Sequence, residues 1–444
     1  MTSSTSSTSS TSSTSSTSSM SWTLPGLQLR DLTFDAPLDH ADPTAARIEV
    51  FARIVTAPGG EDRPYLVYLQ GGPGSEAPRP LEESSPGWLA RALREHRVVM
   101  LDQRGTGRST PVGPDTALPE GAIPGAATLR EATPSQQAQY LTHFRADAIV
   151  RDAEILRELL GARTWSLLGQ SFGGFTTLRY LSVACGGIQK AMFTGGLPAV
   201  GPHMDDVYAT TWRSMAARSE EYWTRFPADR DRFRRLADAA DSGRLRLPDG
   251  QRVGMERLRR LGHLLGASQG AERLHYLLDL DPSSPAFAHD LAAALPFGGR
   301  NPLYAVIHES CWADGTATRW SADRMMPAEV REDPTLLGGE HMHRELFAED
   351  PELEMWAEAA DLLAEHEWPQ LYDADVLRDC QVPGAAAIYF GDVYVPREHS
   401  LATAELLPGL RTWITSEYEH NGLRASGEGV LDHLLDLATG RRAA

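Results

Sequence analysis

The chain has 444 residues, with 42 lysines and arginines against 60 aspartates and glutamates, and its formal net charge at pH 7 is −18. This surplus of negative charge argues against nucleic acid or an anionic membrane surface as a partner, because both would repel the chain. The three cysteines, Cys185, Cys311 and Cys380, have no metal-ligand spacing and form no disulfide framework in a chain this long, so we expect a reducing compartment.

The chain begins with a repeat of serine and threonine. Residues 1–19 contain no apolar side chain after the first methionine, so they cannot bury surface that would offset the entropy of ordering. We therefore predict a disordered tail over residues 1–20. The segment lacks the basic start and apolar stretch of a secretory signal, and no later run is long enough to span a bilayer. These features predict a cytoplasmic protein that does not bind membranes.

The first predicted strands alternate apolar and polar residues. This alternation occurs in residues 32–34 and 48–54 and predicts antiparallel strands at a sheet edge. The next strands, 64–69 and 97–101, are nearly all apolar, which is typical of strands covered on both faces. Each of them runs into a glycine-rich turn. We therefore predict a parallel sheet whose functional loops lie at the carboxyl ends of its strands.

A serine-containing turn follows the next helix and strand. The amphipathic residues 135–160 predict one long helix, and the apolar residues 165–168 predict a buried strand. The strand enters Gly-Gln-Ser-Phe-Gly-Gly at 169–174, and helix-compatible spacing continues over 176–184. Gly-x-Ser-x-Gly between a strand and a helix is a nucleophile elbow, in which a side chain at either glycine would collide with neighbouring structure. Ser171 is therefore the predicted nucleophile.

The rest of the chain is a helical region followed by further strands. Residues 190–196 predict a strand, whereas 201–372 carry Arg, Glu, Trp, Leu and Ala at helical spacings and predict a helical insertion. Strands are predicted again at 385–390 and 410–415, and a last helix at 428–437. The predicted domains are a first core part at 21–200, a helical cap at 201–372 and a second core part at 373–444.

A serine nucleophile needs a base, and the base needs a carboxylate that fixes its tautomer. Asp392 follows the strand at 385–390, and His420 follows the last strand, so both match the chain order serine, acid, histidine. His433 is the main alternative base, but it lies within the last predicted helix. We predict that Ser171, Asp392 and His420 form a catalytic triad.

Acyl transfer also needs N–H donors aimed at the developing oxyanion. We predict the amides of Phe172, next to the nucleophile, and of Gly72, in the turn after the first buried strand, because glycine lets the backbone approach the substrate closely. The second glycine-rich segment, 102–109, lacks the Gly-Lys-Ser/Thr ending of a phosphate loop. We interpret it as structural, with Asp102 and Arg104 bracing the turn beside the oxyanion loop.

Three motifs together resemble one family. Residues 70–74 (Gln-Gly-Gly-Pro-Gly), 102–109 (Asp-Gln-Arg-Gly-Thr-Gly-Arg-Ser) and 169–174 are similar to those of the prolyl aminopeptidases, or proline iminopeptidases, of the α/β-hydrolase superfamily. The resemblance covers residues 32–437 and is stronger over the core than over the insertion. It implies an α/β-hydrolase fold, a mostly parallel sheet with helices on both faces, and a large helical cap inserted between core strands. The family usually has histidine where this chain has Gln70.

The resemblance also implies an activity and a substrate site. It implies removal of the first residue, typically proline, from peptides with a free N-terminus, with cap acids binding the amine. Glu309 and Glu340 lie in segments similar to that amine site. We expect no metal and no other cofactor, because no His/Cys/Glu cluster has metal-ligand spacing. Cys311 is interpreted as a buried, inert thiol, and the oligomeric state stays open.

Two other functions remain possible at this point. A capped esterase or amidase would use the same triad without recognising an amine, and would cleave acyl esters as readily as free-amine aminoacyl arylamides. A hydrolase-fold binding protein would need no triad, so an intact Ser171, Asp392 and His420 argues against it. The preferred first residue and the peptide-length limit are not fixed by the sequence.

Overall fold

The fold is built on one nine-stranded sheet. The computed structural model describes residues 17–42, 44 and 46–443. The strands lie in the order β1-β2-β3-β5-β4-β6-β7-β8-β9. Their bounds are β1 (Thr17–Leu24), β2 (Leu27–Pro37), β3 (Arg47–Thr56), β4 (Tyr65–Leu69), β5 (Arg97–Asp102), β6 (Trp165–Gln170), β7 (Ile188–Thr194), β8 (Gly384–Tyr389) and β9 (Leu410–Thr415).

The sheet is antiparallel at one edge and parallel elsewhere. β1, β2 and β3 pair antiparallel, and so do β3 and β5. All pairs from β5 onward to β9 are parallel. Every residue of β4, β6 and β8 is buried, as expected for strands that helices cover on both faces. The predicted α/β-hydrolase class with its antiparallel edge is confirmed.

Helices cover both faces of the sheet and fill the long connection between β7 and β8. The α-helices of the described residues are α1 (Leu89–Leu93), α2 (Pro134–Leu141), α3 (Ala146–Leu159), α4 (Phe172–Ala184), α5 (Met204–Arg225), α6 (Pro227–Asp241), α7 (Met255–Arg259), α8 (Gly270–Asp279), α9 (Pro285–Ala294), α10 (Pro302–Ile307), α11 (Ser321–Arg324), α12 (Ala328–Glu332), α13 (Arg344–Glu349), α14 (Ala357–Glu365), α15 (Ala374–Asp379), α16 (Arg397–Ala404), α17 (Gly422–Ala425) and α18 (Gly429–Thr439).

Two hydrophobic cores lie on opposite faces of the sheet. Successive side chains of a strand point to opposite faces, and β4 shows this directly. Val67 and Leu69 belong to the core that includes α3 and α4. Leu66 and Tyr68 belong to the core that includes α1 and α18. The sheet is therefore fixed between two helical layers, and its loops at the carboxyl ends have rigid support.

The prediction of one continuous helix over 135–160 was wrong. The chain forms α2 and α3, separated at Arg145, whose backbone is extended with φ −90 and ψ 174. The buried guanidinium of Arg145 donates to the carbonyls of Ala313 (2.8 Å) and Pro369 (2.7 Å). α2 has its own start, because Thr133 and Gln136 form a reciprocal capping box. The break between α2 and α3 therefore lies where Arg145 contacts distant parts of the chain.

The region between β7 and β8 is helical, as predicted. It contains α5 to α15 and a hydrophobic core of its own, which includes Tyr222, Phe233, Leu258 and Leu274. The exact limits of the cap at 201–372, and of the core parts at 21–200 and 373–444, stay predictions. We call the segment from α5 to α14 the cap.

The predicted tail falls largely outside the described residues. Of residues 1–20, only 17–20 are described. They form the start of β1, paired with residues 31–34 of β2, so the prediction of disorder was wrong for these four residues. The prediction for residues 1–16 stays a prediction. Within the described part of the chain, no helix is long and apolar enough to cross a membrane.

Candidate active site

Ser171 sits at the sharp turn between β6 and α4. Its backbone has φ +53 and ψ −126, a conformation that a residue with a side chain rarely adopts. The turn is held by two backbone hydrogen bonds. The amide of Ser171 donates to the carbonyl of Thr194 (3.0 Å), and its carbonyl accepts from the amide of Gly174 (2.7 Å). This is the geometry of the predicted nucleophile elbow.

The two glycines of the elbow are required by close backbone contacts. A Cβ at Gly169 would lie 2.4 Å from the carbonyl oxygen of Gly173. A Cβ at Gly173 would lie 1.9 Å from the carbonyl oxygen of Leu69, at the end of β4. Neither neighbour is a flexible side chain that could move aside. The reason given for the motif from the sequence therefore applies in this fold.

Asp392 and His420 form a buried pair. Nδ1 of His420 lies 2.7 Å from Oδ2 of Asp392. The other carboxylate oxygen of Asp392 accepts hydrogen bonds from the amides of Tyr394 (2.9 Å) and Val395 (3.0 Å). The loop after β8 therefore fixes the carboxylate, and the carboxylate fixes the imidazole. This leaves the opposite ring nitrogen for proton transfer.

The electrostatics of the pair suit a general base. Burial lowers the pKa of His420, but the Asp392 carboxylate outweighs burial and holds the pKa above its usual value, and Glu340 adds to this effect. Nε2 of His420 is buried and makes no hydrogen bond to any described residue. Asp392 therefore orients the imidazole through Nδ1, and Nε2 is left without a hydrogen-bond partner among the described residues.

The end of β7 lies beside both the elbow and the Asp392–His420 pair. Thr194 accepts the hydrogen bond from the amide of Ser171. A Cβ at the next residue, Gly195, would lie 3.0 Å from Nδ1 of His420 and 3.2 Å from Oδ2 of Asp392. The elbow and the acid–base pair thus contact consecutive residues of one strand end.

The two predicted oxyanion donors lie beside the nucleophile. Phe172 is the first residue of α4, where amides have no acceptor within the helix. Gly72 has φ +125, which favours glycine. A Cβ at the preceding Gly71 would lie 2.9 Å from Cβ of Ser171. The glycine turn therefore runs directly against the elbow, and the donor role of Gly72 and Phe172 stays a prediction.

Gln70 is held by its neighbours in the oxyanion loop. Its Oε1 accepts a hydrogen bond from the hydroxyl of Tyr68 (2.5 Å). Its carbonyl accepts from Nε2 of Gln103 (3.0 Å), on the loop after β5. The side chain of Gln70, where the family usually has histidine, is therefore hydrogen-bonded to the hydroxyl of Tyr68.

The segment at 102–109 is structural in its contacts. The carboxylate of Asp102 accepts from the amides of Ala77 (3.1 Å) and Arg108 (3.0 Å), and burial raises its pKa to about 6. Arg104 is buried and makes a two-point ion pair with Asp152, with its Nη2 2.6 Å from Oδ1. Asp102 thus braces the turn near the oxyanion loop, whereas Arg104 ties the turn to α3.

Glu340 lies in the cap, near enough to His420 to act on its pKa. Its two oxygens are each 3.7 Å from an imidazole nitrogen, one from Nε2 of His263 and one from Nε2 of His308. Burial raises the pKa of Glu340, but the two imidazoles outweigh it and hold the pKa well below its usual range. Glu340 lines a small cavity of about 10 Å³ together with Tyr394. The Tyr394 ring packs edge-on against His420, with centroids 5.0 Å apart.

Glu309 lies in a different environment from Glu340. It is buried, and its two oxygens accept from the amides of Ala322 (2.8 Å) and Ser321 (3.3 Å), at the start of α11. Burial raises its pKa to about 7. It lines a separate small cavity that includes Trp320. The sequence analysis placed Glu309 and Glu340 in one amine-binding site, but in the structure they line two different cavities of the cap.

The remaining candidates have surroundings of their own. His433 is on α18, where its ring stacks on Trp413 with centroids 3.9 Å apart. Cys311 is buried, and burial raises its pKa, as expected of an inert thiol.

In the described part of the chain, one group has ligand atoms within 4.8 Å of one another, as a metal site needs. It consists of Asp323, His343 and Glu345.

That group was not anticipated from sequence spacing. It lies in the cap, and its central carboxylate is already engaged. Asp323 pairs with Nδ1 of His343 and accepts from the amide of Arg344 (3.2 Å). We assign it no part in the triad chemistry.

Sequence reasoning missed several residues around the site. Tyr394 lies two residues after Asp392, and His308 directly precedes Glu309, so their positions in the chain were a usable signal. His263 and Arg218 lie far from every motif, and no local signal marks them.

Comparisons with known proteins show the family of the chain. Residues 64–244 match the family described as alpha/beta hydrolase fold. A proline iminopeptidase of Aeromonas sobria is 40% identical over 432 residues, covering 94% of this chain and 98% of that protein. The proline iminopeptidase AneH of Aspergillus aculeatus is 29% identical over 431 residues, covering 92% and 93%.

Among solved structures, a serine hydrolase of Cycloclasticus zankles is 13% identical and covers 94% of this chain and 96% of its own. Its TM-score is 0.38. Similarity at this level adds nothing to the functional assignment.

Proposed function

The chain belongs to the proline iminopeptidase family of α/β-hydrolases, and we propose that it releases the N-terminal proline of peptides through an acyl-enzyme on Ser171. The observation that carries the mechanism is the oriented Asp392–His420 pair. Its Nδ1 lies beside Gly195, at the strand end that also holds the elbow, and its Nε2 has no hydrogen-bond partner among the described residues. The buried imidazole with a raised pKa is suited to accept the proton of a serine hydroxyl.

In the proposed first step, Oγ of Ser171 attacks the carbonyl carbon of the substrate's first residue, and Nε2 of His420 takes the hydroxyl proton. The resulting oxyanion accepts hydrogen bonds from the amides of Gly72 and Phe172. The tetrahedral intermediate then collapses, and His420 gives the proton to the leaving amine. The rest of the peptide departs, and an ester of the first residue with Ser171 remains.

In the second step, water takes the place of the leaving amine. His420 accepts a proton from the water as the hydroxide attacks the ester carbonyl. Collapse of this intermediate returns the proton to Oγ of Ser171 and releases the free amino acid. Asp392 keeps its negative charge throughout and stabilises the imidazolium that forms in both steps.

We propose that Glu340 binds the substrate's terminal ammonium. Its carboxylate is an acid of the cap that raises the pKa of His420. Its own pKa is held low, so it is ionised at neutral pH. A charged partner in a partly buried site gives a strong hydrogen bond to an ammonium group. This contact locates the end of the peptide chain and limits cleavage to one residue.

Glu309 is the second acid that the resemblance predicts for the amine. Both of its oxygens already accept backbone amides, so we propose that it holds the start of α11. The resemblance instead predicts direct contact with the amine, and a large loss of free-amine kcat/KM in Glu309→Gln would support that alternative. The proposed partners are peptides with a free N-terminus, and the proposed location is the cytoplasm.

A panel of aminoacyl arylamides tests the proposed function. Proline arylamide is expected to give the highest kcat/KM, with alanine, leucine and glutamate arylamides lower. An activated acetyl ester serves as the substrate that has no amine. A preference for the ester, with no free-amine arylamide cleaved efficiently, would contradict the proposal and favour a capped esterase.

A further inference from the structure

The cap contacts both loops that carry the acid and the base of the triad. Asp392 follows β8 and His420 follows β9, so the geometry of the pair depends on how two separate loops are held. We propose that Arg218, on α5 of the cap, is a positioning residue that holds these loops together. The inference rests on the proposed function for its chemistry, but it concerns how the triad is assembled.

Arg218 binds the residue next to each member of the pair. Its Nη1 donates to Oε1 of Glu419 (2.6 Å), and Glu419 precedes His420. Its Nη2 donates to the carbonyl of Gly391 (3.0 Å), and Gly391 precedes Asp392. A planar guanidinium presents both donors in a fixed fork, so one side chain sets the separation of the two loops.

The loop that carries Asp392 has a glycine at the point where Arg218 contacts it. A Cβ at Gly391 would lie 2.7 Å from Nη2 of Arg218, so a larger residue there would push the guanidinium away. Burial lowers the pKa of Arg218, but Glu419 outweighs burial and raises the pKa, and Glu221 and Asp392 add to the effect. The guanidinium therefore stays charged over the working pH range of the enzyme.

A second cap segment supports the loop that carries His420. The amide of His420 donates to the carbonyl of Gly266 (3.1 Å). Oδ1 of Asn421 accepts from the amide of Ser268 (2.9 Å). The base is thus held from the cap on both sides of its position in the chain. The cap consequently has a part in catalysis that is separate from substrate recognition.

The variant Arg218→Met tests the inference. It is expected to lower kcat for proline arylamide about tenfold to a hundredfold, since a small misplacement of a catalytic group has effects of that order. KM should change little, because the amine site keeps Glu340. The activated acetyl ester should lose the same factor in kcat. Labelling of Ser171 by an organofluorophosphonate should slow equally, since it needs the same activated nucleophile.

Three further variants separate positioning from general stability. Glu221→Gln is the matched control, because Glu221 is an exposed residue of the same helix whose carboxylate lies 3.3 Å from Nε of the same arginine. It should leave kcat unchanged. Arg218→Lys should give an intermediate kcat, because it retains the charge without the fork. Glu419→Gln should lower kcat in the same manner and, combined with Arg218→Met, should add little further loss.

Several outcomes would overturn the inference. One is an unchanged kcat in a folded Arg218→Met protein, verified by circular dichroism and melting. Another is a loss confined to free-amine substrates, which would place Arg218 at the substrate. If Arg218→Met does not fold, a folded Glu419→Gln protein with normal kcat on the ester would also refute it. Failure of the proposed function would appear separately, as efficient cleavage of amine-blocked substrates by the unmutated enzyme.

Discussion

Replacing Glu340 with glutamine should remove amine recognition and leave the chemistry intact. Glu340 is held between His263 and His308, with each oxygen 3.7 Å from an imidazole nitrogen. Glutamine has nearly the same shape, so the variant removes the charge and retains the packing. A hydrogen bond to a charged group contributes about 1.5–3 kcal/mol. The expected loss in kcat/KM for proline arylamide is therefore about tenfold to a hundredfold.

Two comparisons make this prediction specific. The activated acetyl ester has no amine, so its kcat/KM should change by no more than a few-fold at the pH optimum. Glu340 also raises the pKa of His420. Without its charge, the imidazolium is less stable, the pKa of His420 falls, and the acidic limb of the ester profile should move to lower pH. An equal loss on both substrates, or no loss on the arylamide, would refute the reasoning.

Three further predictions concern the nucleophile, the second acid and the elbow. Ser171→Ala should lower kcat on the order of a thousandfold or more without changing the melting temperature, and near-normal turnover would rule out the covalent mechanism. Glu309→Gln should alter free-amine kcat/KM by no more than a few-fold but change the pH dependence of stability. The pKa of Glu309 in the folded state is raised from 4.5 to about 7, so the folded state binds the proton of Glu309 more tightly than the unfolded state does. The free energy of unfolding therefore falls by up to about 3 kcal/mol as the pH rises from 4.5 to about 7. Melting curves at pH 5 and pH 8 should show a smaller decline in the variant, and an unchanged decline would mean that Glu309 is not the source. Gly173→Ala should prevent correct folding, because the new Cβ would lie 1.9 Å from the carbonyl oxygen of Leu69. The control Gly186→Ala places its Cβ in open space and should fold normally. An active, equally stable Gly173→Ala protein would contradict the elbow geometry.

The elbow could be predicted because its constraints are local. The collisions that exclude side chains at Gly169 and Gly173 arise within the turn and at the end of the adjacent β4. The acid and the base could be placed because parallel strands deliver their following loops to one edge of the sheet. Asp392 and His420 each follow such a strand, and the structure pairs them at 2.7 Å.

Features set by distant contacts could not be predicted. The break between α2 and α3 depends on Arg145, whose guanidinium binds carbonyls 165 to 224 residues further along the chain. Arg218 likewise meets its partners only in the folded chain, 173 and 201 residues away. The separation of Glu309 from Glu340 also follows from cap packing, which has no simple periodicity.

The central claim is that this enzyme requires a free terminal amine. The most direct measurement compares kcat/KM for proline arylamide with that for the same compound acetylated on its nitrogen. Acetylation removes the positive charge and leaves the carboxylate of Glu340 without its partner, a combined penalty of at least about 3 kcal/mol. The predicted result is a loss of at least about a hundredfold. Efficient cleavage of the acetylated compound would contradict the aminopeptidase assignment and favour an esterase or amidase that uses the same triad.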